Sequence, residues 1–280
     1  MTKLRQKMVE LMVLKGFAES TQQTYTHQIV QLAKYYHRSP DSLSESELRD
    51  YLLYCHQHKH WSFSSCRQFI HAARFLFDQV LQQPLSNRPL PLPRPEQKIP
   101  ELLSRNEVRR ILTAAKNLKH YTFLNVCYAA GLRVSELSAL QVKDLDGDRN
   151  TIRVESGKGR KDRNTLFTES LKQVLRKYWH FYHPTQYVFY GRMMSEPLSI
   201  SAMQRAYSKA KKMAGIKKRG GIHALRHAFA THQLESGMPL PRLQKLLGHG
   251  HISSTLRYTR WLPHYQSGTS PECDLLNDWQ

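Results

Sequence analysis

The chain has 280 residues, which is enough for two domains of ordinary size. Lysine and arginine total 42 against 22 aspartates and glutamates, so the formal net charge is +20. This excess indicates a polyanionic partner and favours nucleic acid, although a ribosomal or membrane-surface protein would also be basic. No apolar run approaches the roughly 18 residues of a membrane span, so we exclude one and expect a cytoplasmic protein.

The four cysteines, Cys55, Cys66, Cys127 and Cys273, are scattered and show no CxxC spacing. Such a distribution is typical of reduced thiols and argues against a disulfide framework or a zinc site.

Residues 1–81 predict a small all-helical domain. We assign Ser20 as the N-cap of its second helix and Ser44 with Glu47 as the capping box of its third. Apolar residues recur at helical spacing in three segments. They are Leu4, Met8, Leu11 and Met12; Tyr25, Ile29, Leu32 and Tyr36; and Phe69, Ala72, Ala73, Leu76 and Val80. Seven basic residues between these faces, which could be an ordinary solvated surface, are interpreted as phosphate contacts. They are Lys15, His27, Lys34, Arg38, Lys59, Arg67 and Arg74.

Residues 82–100, "QQPLSNRPLPLPRPEQKIP", contain six of the 13 prolines. Because proline removes backbone donors and favours extended chain, this segment predicts a semi-rigid interdomain linker.

Residues 101–263 predict a second domain of α+β type, so the fold class is mainly α with a small β-sheet or hairpin. Ser104 and Glu107 again have the spacing of a capping box. The mostly apolar stretch "YTFLNVCYAAGLRVSELSAL" predicts buried helix interrupted at Gly131. The alternating "NTIRVESGKGRKDRNTLFT" predicts a hairpin with a basic tip, and helices resume from residue 198.

The motif "GLRVSEL" places Arg133 directly after this buried stretch, with Glu136 three residues on. Burying an unpaired guanidinium is costly, so a partner is needed. One interpretation is a simple intrahelical salt bridge. The other is an anion-binding arginine that the carboxylate of Glu136 holds in place.

The motif "HALRHAFATH" puts His223, Arg226 and His227 on one side of a helix. There is no HExxH pattern, and the arginine would repel a cation, so we exclude a metal site. A histidine and an arginine presented together favour a phosphate or carboxylate. His227 and His232 are interpreted as structural residues.

The hairpin tip "SGKGRKDR" exposes Lys158 between two glycines but lacks the pattern of a phosphate-binding Walker loop. A basic hairpin could grip the DNA backbone or deliver one ammonium group to a scissile bond. We expect direct DNA contacts from six basic residues, which are Arg160, Lys161, Arg163, Lys217, Lys218 and Arg219.

Tyr258, in "LLGHGHISSTLRYTRW", is a candidate nucleophile. A phenol with a pKa near 10 is a poor nucleophile at neutral pH, but nearby cations lower the cost of a phenolate. Two arginines and two histidines around a phosphate would stabilise charge at phosphorus, and lysine would protonate the departing oxygen. The candidate catalytic set is Arg133, Lys158, His223, Arg226, His249 and Tyr258.

These motifs, in this order, resemble the tyrosine recombinases, the superfamily of phage integrases, Xer recombinases and integron integrases. The resemblance covers nearly the whole chain. It implies that Arg133 and Arg226 are the catalytic arginines, that His223 and His249 are the catalytic histidines, and that Lys158 is the general acid. Tyr258 would be the nucleophile. "YTR" stands where the family more often has "YTH".

The resemblance implies a helical core-binding domain of the SAM-like type before a catalytic domain, and strand exchange through a 3′-phosphotyrosyl intermediate and a Holliday junction. The implied partner is double-stranded DNA, bound by four protomers as a dimer on each of two sites, without metal or cofactor. An accessory DNA-bending protein is left open. A type IB topoisomerase and a catalytically silent DNA-binding protein remain alternatives. For the tail, residues 264–280, we hypothesise docking on a neighbouring subunit, with docking on its own domain or fraying as alternatives.

Overall fold

The structure, a computed structural model, describes residues 2–85, 101–155, 162–262 and 275–277. The chain divides into two units, Met1–Lys98 and Ile99–Gln280. The division falls within the expected linker, of which residues 86–100 lie outside the described part.

The first unit is entirely helical over its described residues. Its core holds Met8 and Met12 of the first helix, Leu32 of the second and Phe69 and Leu76 near the end of the unit, as their spacing predicted. The helices are α1 (Lys3–Leu14), α2 (Glu19–Tyr36), α3 (Glu45–Gln57) and α4 (Phe63–Arg74), which continues as a π-helical turn (Phe75–Val80).

The capping predictions for this unit differ in outcome. The capping box of Ser44 and Glu47 is present at the start of α3. The N-cap prediction for Ser20 was wrong, because α2 begins at Glu19 after Ala18, which makes no side-chain capping bond. Phe17 packs against Phe75, with ring centroids 5.2 Å apart, so tertiary contact fixes where the chain enters this helix.

Over its described residues, the second unit contains eight helices and one small sheet, which pack around a single apolar core. The sheet has the order β1-β2-β3 and is antiparallel, and Val154 pairs with Arg163 where the predicted hairpin opens. The helices are α5 (Arg105–Ala114), α6 (Leu118–Ala129), α7 (Val134–Ala139), α8 (Glu169–Tyr182), α9 (Ile200–Met213), α10 (His223–Glu235), α11 (Leu240–Leu247) and α12 (Ser253–Thr259). The strands are β1 (Leu145–Asp146), β2 (Thr151–Val154) and β3 (Arg163–Leu166).

The mainly helical fold class with a small sheet is thus confirmed. The capping box of Ser104 and Glu107 begins α5 as expected. Helix α6 is buried around most of its circumference, so it forms the centre of the unit against which α8 and α10 pack.

Two further observations concern the tail and the surface. Leu275 and Leu276 are buried within the apolar core of the second unit, so these two tail residues contact their own unit. Docking of the tail on a neighbouring subunit stays a prediction. No helix among the described residues is long and apolar enough to cross a membrane.

Candidate active site

Arg133 directly precedes α7 and forms the ion pair that its spacing from Glu136 predicted. Its backbone N–H donates to Glu136 Oε2 at 2.8 Å, and its Nη1 donates to Oε1 at 2.6 Å. The Arg133 side chain nevertheless stays 23% exposed, so part of the guanidinium remains accessible to an anion. The two interpretations of this motif are therefore compatible.

Arg163, which we expected to contact DNA, is turned into the protein. Its side chain is only 7% exposed, and Nη1 and Nη2 donate to the two oxygens of Glu136 at 2.9 and 2.8 Å. Its Nε donates to the carbonyl oxygen of Leu246 at 2.8 Å. With all three nitrogens engaged, this geometry favours a positioning role. The buried carboxylate needs a cationic partner, and Arg163 supplies it.

Arg226 is 1% exposed and is the largest fully buried side chain among the residues that the structure describes. Its Nη1 donates to Gly131 O at 2.6 Å and its Nη2 to Leu247 O at 2.5 Å. Burial lowers its pKa to about 10, with Arg133 acting in the same direction, so it is still a cation at neutral pH.

Gly131 explains how the backbone supplies one of these oxygens. It has φ +62°, and a Cβ there would lie 2.4 Å from the Phe229 ring. Only glycine lets the chain pass this close to α10 and offer its carbonyl to Arg226.

Glu136 lies beneath three guanidinium groups, those of Arg133, Arg163 and Arg226, the last at 3.6 Å. Burial by itself would raise the pKa of this carboxyl, but hydrogen bonds and charge from Arg163 and Arg133 hold it at about 2. Three guanidinium groups and one carboxylate give this cluster a net charge of +2. A partly buried net positive charge of this kind is complementary to the negative charge of a phosphodiester.

His249, just beyond α11, lies beside this cluster. Its Nε2 is 3.4 Å from Arg226 Nη2, a long contact, and its Nδ1 is 2.9 Å from Thr255 Oγ1. Because the guanidinium can only donate, Nε2 accepts and Nδ1–H donates to Thr255. Burial, followed by the charge of Arg226, lowers the pKa of His249 to about 4, so the ring is neutral at neutral pH.

Tyr258, on α12, is 4% exposed, and its ring is parallel to that of His249 with centroids 6.3 Å apart. From the sequence, nearby cations were expected to ease formation of its phenolate. Arg226, Arg257 and Arg133 do act in that direction, but burial outweighs them and raises the pKa of Tyr258. The hydroxyl is therefore protonated at neutral pH.

The hydroxyl partner of Tyr258 is His227, whose Nδ1 is 3.1 Å from Tyr258 Oη. From the sequence, His227 was expected to be a structural residue. The signal that could have found it is the four-residue spacing from His223, which puts both rings on one side of α10. Trp261 packs edge-on against both His227 and Tyr258 and completes the enclosure.

His223, at the start of α10, lies against His227 with ring centroids 4.7 Å apart. Burial, followed by the charges of Arg226 and Arg133, lowers its pKa, while Glu136 raises it. The structure thus brings together five of the six predicted catalytic residues, Arg133, His223, Arg226, His249 and Tyr258, in one region of the second unit.

The remaining predicted residues have other positions. Lys158, Arg160 and Lys161 lie outside the described residues, and their roles stay predictions. Lys217 and Arg219 are exposed, as a DNA contact requires. Lys218 is instead half-buried, with Nζ donating to Glu107 Oε2 and Leu102 O, each at 2.6 Å. This pairing favours a structural role for Lys218 over the expected DNA contact.

Within the described ranges no group of three or more His, Cys, Asp or Glu side chains is arranged to hold a metal ion. Cys55, Cys66 and Cys127 are free and buried there, while Cys273 lies outside those ranges.

Two family models match the chain. "Phage integrase family" matches residues 101–264, and "Phage integrase, N-terminal SAM-like domain" matches residues 4–87. Among curated proteins, an integrase/recombinase of Sinorhizobium fredii, y4qK, is 37% identical over 99% of this chain and 90% of its own length. Tyrosine recombinase XerC of Anoxybacillus flavithermus is 29% identical, with 89% of each chain covered.

Comparison with solved structures also finds recombinases and integrases. The XerA recombinase is 26% identical, with a TM-score of 0.54, covering 94% of this chain and 99% of that one. A lambda integrase dimer bound to a COC′ core site is 18% identical, with a TM-score of 0.72 and 90% and 95% coverage. At that identity the lambda integrase likeness concerns the fold alone.

Proposed function

Because the chain belongs to the phage integrase family of tyrosine recombinases, we propose that it cleaves and rejoins DNA strands at a specific site through a covalent bond to Tyr258. The observation that carries the proposal is the +2 cluster of Arg133, Arg163 and Arg226 over Glu136, next to a buried tyrosine hydroxyl. A phosphodiester is the anion that matches both the charge and the neighbouring nucleophile.

In the proposed reaction the phosphodiester lies against Arg133 and Arg226, whose guanidinium groups stabilise the charge that builds up on the non-bridging oxygens. His223 contributes a further donor on the same phosphate. His249 contributes another once the bound phosphate, whose negative charge favours protonation of its Nε2, replaces Arg226 as the partner of that nitrogen. Tyr258 Oη attacks phosphorus, a 3′-phosphotyrosyl bond forms and the bond to the 5′ oxygen breaks. Lys158 donates the proton that the departing 5′ oxygen needs.

Rejoining reverses these steps with a 5′-hydroxyl from a partner duplex, so the strands are exchanged. The phosphotyrosyl bond conserves the energy of the broken phosphodiester, and no high-energy cofactor is required. Recombinases with this fold have been solved on their DNA, including XerH bound to difH substrate and the lambda integrase dimer. Because recombinases of this fold bind DNA and this chain has a net charge of +20, we propose that it also binds DNA. Four protomers on two sites are part of the same proposal.

The test uses full-length protein and duplex DNA nicked near the cleavage site, so that the released fragment diffuses away and the covalent adduct accumulates. We expect a protein–DNA adduct that survives denaturation in the parent protein and none in Tyr258→Phe. An adduct formed by Tyr258→Phe would contradict the assignment of the nucleophile. Absence of an adduct in the parent protein, on DNA pooled from random sequences, would favour a silent DNA-binding protein.

A second measurement separates recombination from a topoisomerase reaction. Exchange between two labelled duplexes is expected, and relaxation of supercoils without exchange would contradict recombination. Lys158→Ala should be inactive on ordinary DNA and active on DNA with a 5′-bridging sulfur, because a thiolate leaves without a proton. Inactivity on both would count against the general-acid role.

A further inference from the structure

We propose that His227 is the proton acceptor for the Tyr258 hydroxyl during cleavage. The inference rests on the proposed function and assigns a further catalytic residue to it. The geometry that carries it is the 3.1 Å separation of His227 Nδ1 and Tyr258 Oη. No other described side chain makes a hydrogen bond to Tyr258 Oη.

The surroundings of Tyr258 leave few alternatives for this proton. The nearby guanidinium groups of Arg226 and Arg257 carry no acceptor atom. Glu136, the carboxylate of the cluster, is already bonded by Arg133 and Arg163. His249 directs Nε2 to Arg226 and Nδ1 to Thr255, and its ring is parallel to that of Tyr258, not aimed at the hydroxyl.

His227 has the protonation state that an acceptor needs. Burial, followed by the charges of His223, Arg226 and Arg257, lowers its pKa to about 4. The ring is therefore neutral at neutral pH, with a lone pair free on one nitrogen. A phosphodiester bound beside these groups adds negative charge, which raises the pKa of His227 and favours its protonated form as the reaction proceeds.

The Tyr258 O–H bond breaks and its proton passes to His227 Nδ1 while the tyrosine oxygen forms its bond to phosphorus. The 5′ oxygen leaves with its bonding pair and takes a proton from Lys158. In rejoining, His227 returns its proton to the departing phenolate. His223, on the preceding turn of α10, is left free to donate to the phosphate.

The decisive variant is His227→Asn, because the asparagine amide stands close to the position of Nδ1 and keeps a hydrogen bond without accepting a proton near neutrality. We expect single-turnover cleavage of the nicked duplex at pH 7 to slow about 10²-fold or more. The rate should then rise with pH as the phenol itself ionises, whereas the parent protein should level off once His227 is neutral. His180→Asn, an exposed histidine of α8, is the matched control and should keep the parent profile.

A second readout excludes a merely structural role. A ring-fluorinated tyrosine at position 258 has a more acidic phenol and depends less on a base. With this tyrosine, cleavage by His227→Asn should be only a few-fold slower than cleavage by the protein with His227. The same tyrosine should not restore the cleavage rate of His223→Asn.

The failures are distinguishable. If the parent protein forms no adduct, the proposed function fails. If the parent protein cleaves and His227→Asn cleaves within about threefold of it at every pH, the proton-acceptor role is wrong. The role would also be overturned if the fluorinated tyrosine left the slow cleavage rate of His227→Asn unchanged.

Discussion

The three arginines of this site differ in how much of each side chain is exposed to solvent. Arg133 keeps nearly a quarter of its side chain accessible, whereas Arg163 and Arg226 are almost completely enclosed. Glu136 forms ion pairs with all three, and its pKa of about 2 keeps it ionised at neutral pH. Arg133 therefore shares Glu136 with the buried Arg163 while part of its own guanidinium stays accessible to an anion.

Arg163→Lys tests this division, because lysine keeps the charge but cannot form the two-pronged bond to a carboxylate. If Arg163 only contacted a DNA phosphate, lysine would largely replace it. In the positioning role we expect the covalent-adduct rate to fall at least tenfold and thermal unfolding to begin several degrees lower. Adduct formation on nicked DNA and calorimetry measure the two effects.

The control for that substitution is Arg153→Lys, on the neighbouring strand β2, where the arginine is exposed and pairs with Asp162. An exposed ion pair contributes at most about 1 kcal/mol, so this variant should behave as the parent protein does. Equal behaviour of the two lysine variants would contradict the positioning role of Arg163.

At the scale of elements, α10 shows how one helix serves the site and the core at once. His223 and His227 lie on the side that meets Tyr258, while His232 is buried further along. His232 Nε2–H donates to Leu103 O and its Nδ1 accepts from the Tyr128 hydroxyl, so the structural role predicted for it agrees with its contacts. The same residue type therefore has different roles according to the helix face.

Gly248 ends α11 with φ +63°, and a Cβ there would lie 2.6 Å from Arg163 Cδ. Arg163 cannot move aside without giving up its bonds to Glu136 and Leu246. We expect Gly248→Ala to cost about 1–3 kcal/mol through backbone strain and this contact, and to slow adduct formation. Denaturant unfolding and the adduct assay are the measurements.

Gly250→Ala, two residues further on, is the matched control, because a Cβ there meets nothing within 4 Å and its φ is not positive. It should leave unfolding and adduct formation unchanged. If the two alanine variants lost equal stability, close packing of Gly248 on Arg163 could not be the reason.

Local patterns predicted the elements well, and long-range contacts account for what they missed. The capping boxes at Ser44 and Ser104 depend on residues three apart, so the sequence contains the whole interaction. The start of α2 depends on the packing of Phe17 against Phe75. These two residues are far apart in the sequence, so a local pattern cannot predict their contact. The ion pair of Arg163 was missed for the same reason, because its partner Glu136 is 27 positions away and the basic residues around Arg163 suggested exposure.

At the scale of the whole molecule, the site is a product of the fold, because its groups come from separate parts of the second unit. Arg133 precedes α7, Arg226 lies on α10 and Tyr258 on α12, all packed on one apolar core. Motif order identified these residues, but only the fold brings them together. The same core buries Leu275 and Leu276 of the tail, so the tail and helix α12, which carries Tyr258, pack on the same core.

The double variant Leu275→Ala, Leu276→Ala tests whether the tail packs on its own unit in solution. Truncating a buried leucine costs about 2–5 kcal/mol, so the pair should lower the unfolding midpoint of the monomeric protein by several degrees or more. The measurement is calorimetry at a concentration where light scattering shows a monomer. Leu53→Ala, at a leucine that is 52% exposed, should change little. If the double variant unfolded as the parent does while tetramer assembly on DNA was lost, the tail would dock on a neighbouring subunit, as the sequence had suggested.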